Sequence, residues 1–248
     1  MDGAELYAAN AAAMWASLAP WSRPVPGTPP GVAVIDLPAQ RAGRIVLRWP
    51  GAAGPGQVGA LVAAARQRGR LVVEDSFGDL VLPATADITV DRMPLMLRPA
   101  GAIEEPGNGA STRVAQVAGR DALAEAERVI VDGFPRPALK PFLPGRMLPP
   151  EALTAPGWRI WLACHAGEPA AACCSYDDGA AVGIYWLATL PRFRSLGLGR
   201  AVMSAALGAC PGRPAVLVAT AAGVPLYSSL GFQPVAEATW YRVPGPPR

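Results

Sequence analysis

The segment RSLGLG, residues 194–199, contains the residue types in this chain most suited to binding a ligand. It follows an apolar run and precedes a helical pattern, so its backbone N–H groups lie at a predicted helix N-terminus, where the helix dipole favours an anion. Gly197 and Gly199 have no Cβ, which allows a phosphate oxygen to approach the main chain closely. The segment therefore predicts a pyrophosphate-binding loop, although a glycine turn that only begins a helix has the same pattern.

A dinucleotide is another ligand for a glycine-containing loop after a strand, and it would imply a nucleotide-binding oxidoreductase. That fingerprint requires G-x-G-x-x-G and an acidic residue about 20 positions later. Neither is present after Gly197. One helix and one strand further along the chain is a second segment, LYSSLGF at residues 226–232, and the two segments together are more informative than either alone.

The hydrophobic pattern places both segments in a series of strands and helices. A strand is expected from Thr112 to Ala118, a helix from Asp121 to Gly133, and a three-stranded meander within residues 158–190. A helix to about Ala209, a strand, a short helix and a final strand follow, and this order predicts a mixed sheet. Trp186 is expected to pack in the core, with the lining of an acceptor pocket as the alternative.

Two stretches resemble a known family. TLPRFRSLGLGRAV resembles motif A and GVPLYSSLGFQPV resembles motif B of the GCN5-related N-acetyltransferases, the GNAT superfamily. The likeness covers the chain from about Thr112 to Val243. It implies an α+β fold of three layers, α/β/α, whose mixed and largely antiparallel sheet has a splayed central strand pair. It also implies an N-acyltransferase that moves an acetyl group from acetyl-CoA to a primary amine by direct attack.

The family's cofactor site corresponds to residues 187–200. The resemblance implies that backbone groups of Leu187, Ala188 and Thr189 pair with the pantetheine amides, as in β-augmentation. The pyrophosphate loop and the start of its helix correspond to Arg194, Ser195, Leu196, Gly197, Leu198, Gly199 and Arg200, and the arginines can also pair with the 3′-phosphate. Tyr227 corresponds to the usual general acid, whose ordinary pKa of about 10 keeps it protonated and able to protonate the departing CoA thiolate.

Many family members use a glutamate on or beside the strand that here reads AAVGIYWLATL, which contains no carboxylate. Asp177 and Asp178 have the pattern of turn residues before a glycine, and His165 ends a strand, so these and Glu151 leave the general base unassigned, with a water chain as a substitute. The missing base makes a non-catalytic acyl-CoA-binding or sensing module the alternative function. A small molecule or a peptide remains open as the amine acceptor.

The chain of 248 residues is long enough for two domains. RPAGAIEEPGNGAS, residues 98–111, is rich in turn residues, so the predicted boundary divides residues 1–105 from a GNAT domain at residues 106–248. RIVLRWP, GQVGALVAAARQRG and RLVVEDS read as strand, helix and strand, an echo of the C-terminal half without its cofactor motifs. Residues 1–105 are expected to form a degenerate GNAT-like or an accessory domain, or to resemble the second half by chance.

The bulk composition argues against several function classes. Charged residues are 17% of the chain and the net charge is +3, which favours neither a nucleic-acid nor a membrane-surface partner. No run of 18 apolar residues is present, and residues 1–20 read as a surface helix. Four cysteines without CxxC spacing and a single histidine predict reduced thiols, no metal site and a cytoplasmic protein. Monomer and homodimer are equally compatible.

Overall fold

The computed structural model describes residues 1–20, 22, 25–67, 69–82, 87–103, 111–134 and 139–246. Contacts between residues divide the chain into two units, each containing separate stretches of sequence. The first unit comprises Met1–Leu97, Val218–Ala222 and Gln233–Arg248, and the second comprises Arg98–Leu217 and Gly223–Phe232.

The first unit has two helices and a five-stranded mixed sheet. In chain order its elements are α1 (Gly3–Ser17), β1 (Val32–Leu37), β2 (Ala42–Leu47), α2 (Pro55–Arg66), β3 (Arg70–Asp75), β4 (Thr89–Arg98) and β10 (Gln233–Val243). The strand order is β1-β2-β3-β10-β4, and every neighbouring pair is antiparallel except β2 and β3. The predicted strand–helix–strand of this half therefore forms, as β2, α2 and β3, whereas β1 was not predicted.

Helix α1 is confirmed as a helix, but the prediction of a surface helix is wrong. Asp2 and Glu5 form a capping box at its start, and eight of its residues are buried. Its apolar residues, many of them alanine, extend around most of the helix, so the helix can pack closely on a sheet. Trp15 of α1 donates from Nε1 to Oε1 of the buried Glu74 at 3.1 Å, and the Arg44 guanidinium lies 4.2 Å from the Trp15 ring centre.

The second unit contains the segments expected to bind the cofactor. Its elements are β5 (Thr112–Gln116), α3 (Arg120–Gly133), β6 (Trp158–His165), β7 (Glu168–Asp177), β8 (Val182–Thr189), α4 (Leu198–Gly208), β9 (Ala215–Val218) and α5 (Val224–Ser229). The strand order is β9-β8-β7-β6-β5; β8 and β9 are parallel and the other pairs are antiparallel. The strands and helices predicted for this half are all present, with ends shifted by a few residues.

The sheet of the second unit is covered on both faces. Residues 170–175 of β7 are all buried, which requires cover over both sets of alternating side chains. Helices α3 and α4 both pack against β6, β7 and β8. The expected α+β fold, with helices on both sides of a mixed and largely antiparallel sheet, is confirmed.

The two units group the chain differently from the predicted domains. The predicted boundary at residue 105 lies among residues 104–110, which are outside the described part of the chain. Strand β10, which the prediction assigned to the second domain, is counted with the first unit because it pairs with β3 and β4. A division of function at residues 1–105 and 106–248 remains a proposal.

In the described ranges, no helix is both long and apolar enough to cross a membrane.

Candidate active site

Strands β8 and β9 separate shortly after they begin. Only two registered pairs join them, Val182 with Ala215 and Gly183 with Val216, although β8 continues to Thr189. The opposite edge of β8 is paired with β7 as far as Thr189. The predicted splayed strand pair is thus present, and it leaves one edge of β8 without a registered partner strand in the described residues after Gly183.

A β-bulge interrupts β8 within this open stretch. Ala188 pairs with Ala172 and Tyr185 pairs with Cys174, so Trp186 and Leu187 both lie opposite Cys173. Trp186 has a φ of 54°, which is unusual for a residue other than glycine. The bulge changes the direction of the backbone at Leu187, next to the stretch that was predicted to bind the pantetheine arm. Nothing in the local sequence predicted it, because the strained residue is a tryptophan.

The Trp186 side chain packs in the core, as expected. Its ring is buried and stacks on Trp158, with ring centres 6.1 Å apart and an angle of 21° between the planes. Tyr185 contacts the same ring, with centres 6.0 Å apart. The large aromatic contact area stabilises the strained backbone of the bulge.

The loop between β8 and α4 presents a row of backbone N–H groups. Ser195 and Gly197 both have positive φ, 65° and 76°, and α4 begins at Leu198. The first backbone hydrogen bond of this helix runs from Ala201 N to Gly197 O at 3.0 Å. Within the described residues the N–H groups of residues 195–200 donate no hydrogen bond, as is usual in the first turn of a helix. Residues 194–197 are exposed, so an anion can reach these groups.

One arginine lies at each end of the loop, Arg194 and Arg200, and their side chains donate hydrogen bonds to different elements. Arg194 donates from Nε to Thr189 O and from Nη2 to Gly133 O, each at 3.4 Å, and so connects the end of β8 with the end of α3. Arg200 donates from Nη2 to Ser229 Oγ at 2.6 Å. Together with residues 98–100, 102, 103 and 229–231, Arg200 lines an open cavity of about 410 Å³.

Tyr227 is on the short helix α5, and its ring packs edge-on against Phe232 with ring centres 6.0 Å apart. Its hydroxyl makes no hydrogen bond within the described residues, so it is available to a ligand. Burial raises the pKa of Tyr227 well above its ordinary value, and the nearby Cys173 thiol raises it further. Cys173 is the residue opposite the bulge, so the tyrosine and the bulge both lie near the same side chain.

The polar residues considered as bases have other roles. Asp177 Oδ1 accepts a hydrogen bond from Gly179 N at 2.9 Å, and Asp178 Oδ1 accepts from Ala180 N at 2.8 Å, so both are turn residues, as predicted. His165 contacts Phe193 edge-on, and its Nδ1 is 3.5 Å from Thr112 Oγ1. Glu151 is exposed in a short 3₁₀ turn.

Sequence reasoning missed one buried acid in this unit. Glu127, in the middle of α3, is fully buried and accepts three backbone hydrogen bonds. A signal was present in the sequence, since a charged residue stands between Leu123 and Ile130 on the apolar stripe of the helix.

In the described ranges, no group of three or more His, Cys, Asp or Glu side chains could hold a metal ion. All four cysteines are free thiols.

Comparisons with known proteins agree with this geometry. Residues 156–234 match the family model for the acetyltransferase (GNAT) domain. No curated protein sequence matches the chain.

Solved structures share the fold over almost the whole chain. A GCN5-related N-acetyltransferase from Kribbella flavida is 23% identical, with a TM-score of 0.65 and coverage of 97% of this chain and 96% of that one. A GNAT-family protein from Novosphingobium aromaticivorans is 16% identical, with a TM-score of 0.59 and coverage of 98% and 99%. A tandem GNAT protein from the clavulanic acid biosynthesis pathway is 15% identical, with a TM-score of 0.52 and coverage of 98% and 96%. The family match identifies residues 156–234 as similar to the GNAT domain, and these solved structures show that the chain as a whole shares the fold of GNAT proteins.

Proposed function

We propose that the protein is an N-acetyltransferase that moves an acetyl group from acetyl-CoA to a primary amine of a small molecule or peptide. The observation that carries this proposal is the early separation of β8 from β9 after Gly183 and Val216. An open strand edge that ends at a helix N-terminus matches the two chemical parts of coenzyme A. Its amide-bearing arm can pair with backbone groups, and its diphosphate requires N–H donors.

The proposed cofactor contacts follow the chain from the bulge to α4. Leu187, Ala188 and Thr189 would pair with the pantetheine arm through backbone groups along the open edge of β8. The N–H groups of residues 195–200 would bind the pyrophosphate. Arg200 lines the cavity beside Ser229, where it could contact the 3′-phosphate. Arg194 would complete the loop from the side of α3.

In the proposed reaction the neutral amine attacks the acetyl carbonyl carbon, forming the C–N bond. A backbone N–H near Leu187 or Ala188 would stabilise the oxyanion of the tetrahedral intermediate. As the C–S bond breaks, Tyr227 would donate its proton to the CoA thiolate. Burial favours the neutral hydroxyl of Tyr227, which is the form that a general acid requires.

The amine must lose a proton, and β8 provides no carboxylate to accept it. Water leading from the site to solvent could accept this proton instead. A base of this kind favours an acceptor amine that is already partly neutral at the working pH. The general base therefore stays unassigned in the proposal.

The first unit would be a degenerate GNAT-like unit. Its β2, α2 and β3 repeat the parallel strand–helix–strand arrangement of β8, α4 and β9. The fold similarity of the whole chain to a tandem GNAT protein, which covers 98% of this chain, supports the same view.

Four free thiols are in keeping with a cytoplasmic location.

A non-catalytic acyl-CoA-binding or sensing module is the second candidate, and the observation that favours it is the lack of an assigned base. The two candidates predict the same affinity for acetyl-CoA but a different fate for the acetyl group. Calorimetry with acetyl-CoA and with NAD would test the binding site, and both candidates fail if no coenzyme A species binds.

Release of CoA thiol would then be measured with a peptide whose α-amino group is free, because such an amine is partly neutral near pH 8. The rest of the panel would be free amino acids, spermidine, tyramine and a lysine-containing peptide. Amine-dependent thiol release together with a detectable acetylated product supports the enzyme. Tight binding of acetyl-CoA without turnover of any panel amine supports the binding module instead.

A further inference from the structure

Glu127 holds a segment of the chain through three main-chain hydrogen bonds. Its Oε1 accepts from Met147 N at 2.6 Å and from Leu148 N at 3.2 Å, and its Oε2 accepts from Gly145 N at 2.7 Å. A carboxylate can accept several such bonds, and bonds to a charged acceptor are about twice as strong as neutral ones. The side chain is fully buried, so these bonds are not exchanged for water.

The same segment is joined to α3 at a second point. The Arg128 guanidinium lies 4.3 Å from the centre of the Phe142 ring. Met147 and Leu148 are buried, which adds apolar contact to the hydrogen bonds. Residues 142–148, which we call the clamped segment, are therefore fastened to consecutive residues of one helix.

The position of Glu127 relates the clamped segment to the bulge of β8. Helix α3, with Glu127 at its middle, packs against β7 and β8, the two strands that pair at the bulge. Burial and Cys173 raise the pKa of Cys174 and Glu127 raises it further, in keeping with this packing. Cys174 pairs with Tyr185, the residue immediately before the bulge at Trp186. The clamped segment thus attaches to α3 at the level of the sheet where the acetyl group would lie.

The end of α3 also touches the proposed pantetheine stretch. A Cβ on Gly133 would lie 2.9 Å from Ala188 Cβ, so helix and strand are in close contact there. One rigid helix therefore contacts the open strand at its C-terminus and the clamped segment at its middle. This arrangement fixes the distance between the cofactor stretch and the clamped segment.

We infer that Glu127 is a positioning residue that holds residues 145–148 as a wall of the acceptor site, beside the bulge. The inference rests on the proposed acetyl transfer. Glu127 is too deeply buried to touch an acceptor, and its carboxylate oxygens already accept backbone hydrogen bonds. It acts through the segment that it holds, and its loss should weaken the acceptor's binding rather than the cofactor's.

The test is Glu127→Gln, with Glu125→Gln as the matched control. Both remove one negative charge from α3, but Glu125 is on the exposed side of the helix. In Glu127→Gln an amide NH₂ replaces one accepting oxygen and opposes a backbone N–H donor. We expect the KM for the fastest amine of the panel to rise about tenfold or more, while the Kd for acetyl-CoA changes less than about twofold.

Hydrogen exchange provides a measurement that does not depend on turnover. The amides of Met147 and Leu148 should exchange slowly in the wild type, faster in Glu127→Gln and unchanged in Glu125→Gln. Phe142→Leu removes the Arg128 contact without altering the buried carboxylate, so it serves if Glu127→Gln does not fold. It should raise the acceptor KM in the same direction, by a smaller factor.

Equal acceptor KM values in Glu127→Gln and Glu125→Gln would overturn the inference and leave the proposed function intact. An increase confined to the Kd for acetyl-CoA would also overturn it, because the helix would then be acting on the cofactor side. If the wild type acetylates no panel amine, the proposed function fails and this inference fails with it.

Discussion

Gly183 and Val216 form the last registered pair between β8 and β9, and beyond it one edge of β8 has no registered partner strand in the described part of the chain. Backbone N–H groups on an open edge exchange with solvent unless a ligand pairs with them. Acetyl-CoA should therefore slow hydrogen exchange, by about tenfold or more, at those N–H groups of residues 187–189 that point away from β7.

The control in the same experiment is β2, residues 42–47, which pairs with β1 and β3. Its exchange should not respond to acetyl-CoA. Protection that is absent from residues 187–189 but present elsewhere would move the cofactor away from the splayed strands.

Replacement of Tyr227 by phenylalanine tests the assigned general acid. The ring contact with Phe232 is kept, since phenylalanine differs only in the missing hydroxyl. If Tyr227 protonates the thiolate, kcat should fall about 100-fold, within the usual range for a general acid. The Kd for acetyl-CoA should stay within about twofold. A kcat near that of the wild type would assign proton transfer to water or to another group.

The pH dependence of Tyr227 follows from its raised pKa. The hydroxyl stays neutral past the ordinary pKa of about 10, so kcat should show no descending limb from Tyr227 up to about pH 10.

The raised pKa of Tyr227 also affects stability. Because the pKa is higher in the folded state, the contribution of Tyr227 to the free energy of unfolding is complete below about pH 10 and declines as pH rises towards the folded value. Thermal unfolding from pH 8 to 11 should show that decline in the wild type, and Tyr227→Phe should lessen it.

The predicted cofactor loop was accessible to sequence reasoning because its signals are local. Gly197 does adopt a positive φ at the start of α4, as an R-x-x-G-x-G loop before a helical pattern requires. The splayed pair was predicted only through the family resemblance. The β-bulge at Trp186 had no such signal, since its strained residue has a type that rarely adopts positive φ.

The features that were missed depend on contacts between distant parts of the chain. The apolar residues of α1 predicted a helix, but not that Trp15 would reach Glu74, 59 residues later. The place of Glu127 on the apolar stripe of α3 does not show that its partners are Gly145, Met147 and Leu148. Periodicity shows which face of an element is apolar, and it does not show what that face meets.

Gly197→Ala tests the conformation of the loop. No atom lies within 4 Å of the position that a Cβ would take, so the cost comes from φ, which is 76°, rather than from a clash. A left-handed conformation costs a residue other than glycine about 1 kcal/mol, so the free loop of the variant should relax to negative φ. Restoring the left-handed turn on binding would then reduce the affinity for acetyl-CoA about fivefold. Gly212→Ala is the control, because that position is equally open and its φ is not positive. Calorimetry that gives equal affinities for both variants would show that the loop does not need its left-handed turn to bind.

The number of cofactor molecules bound by each chain tests whether the first unit has kept a site. Strands β2 and β3 pair without a break from Ala42 with Arg70 to Val46 with Glu74, so no edge opens between them for a pantetheine arm. In the turn before α2, Gly51 N donates to Asp79 Oδ2 at 3.1 Å, and this carboxylate would repel a phosphate. Titration calorimetry should therefore give one acetyl-CoA per chain. A second equivalent that survived disruption of the β8–α4 loop would mean that the strands of the first unit separate in solution, and that this half is a working acyl-CoA site.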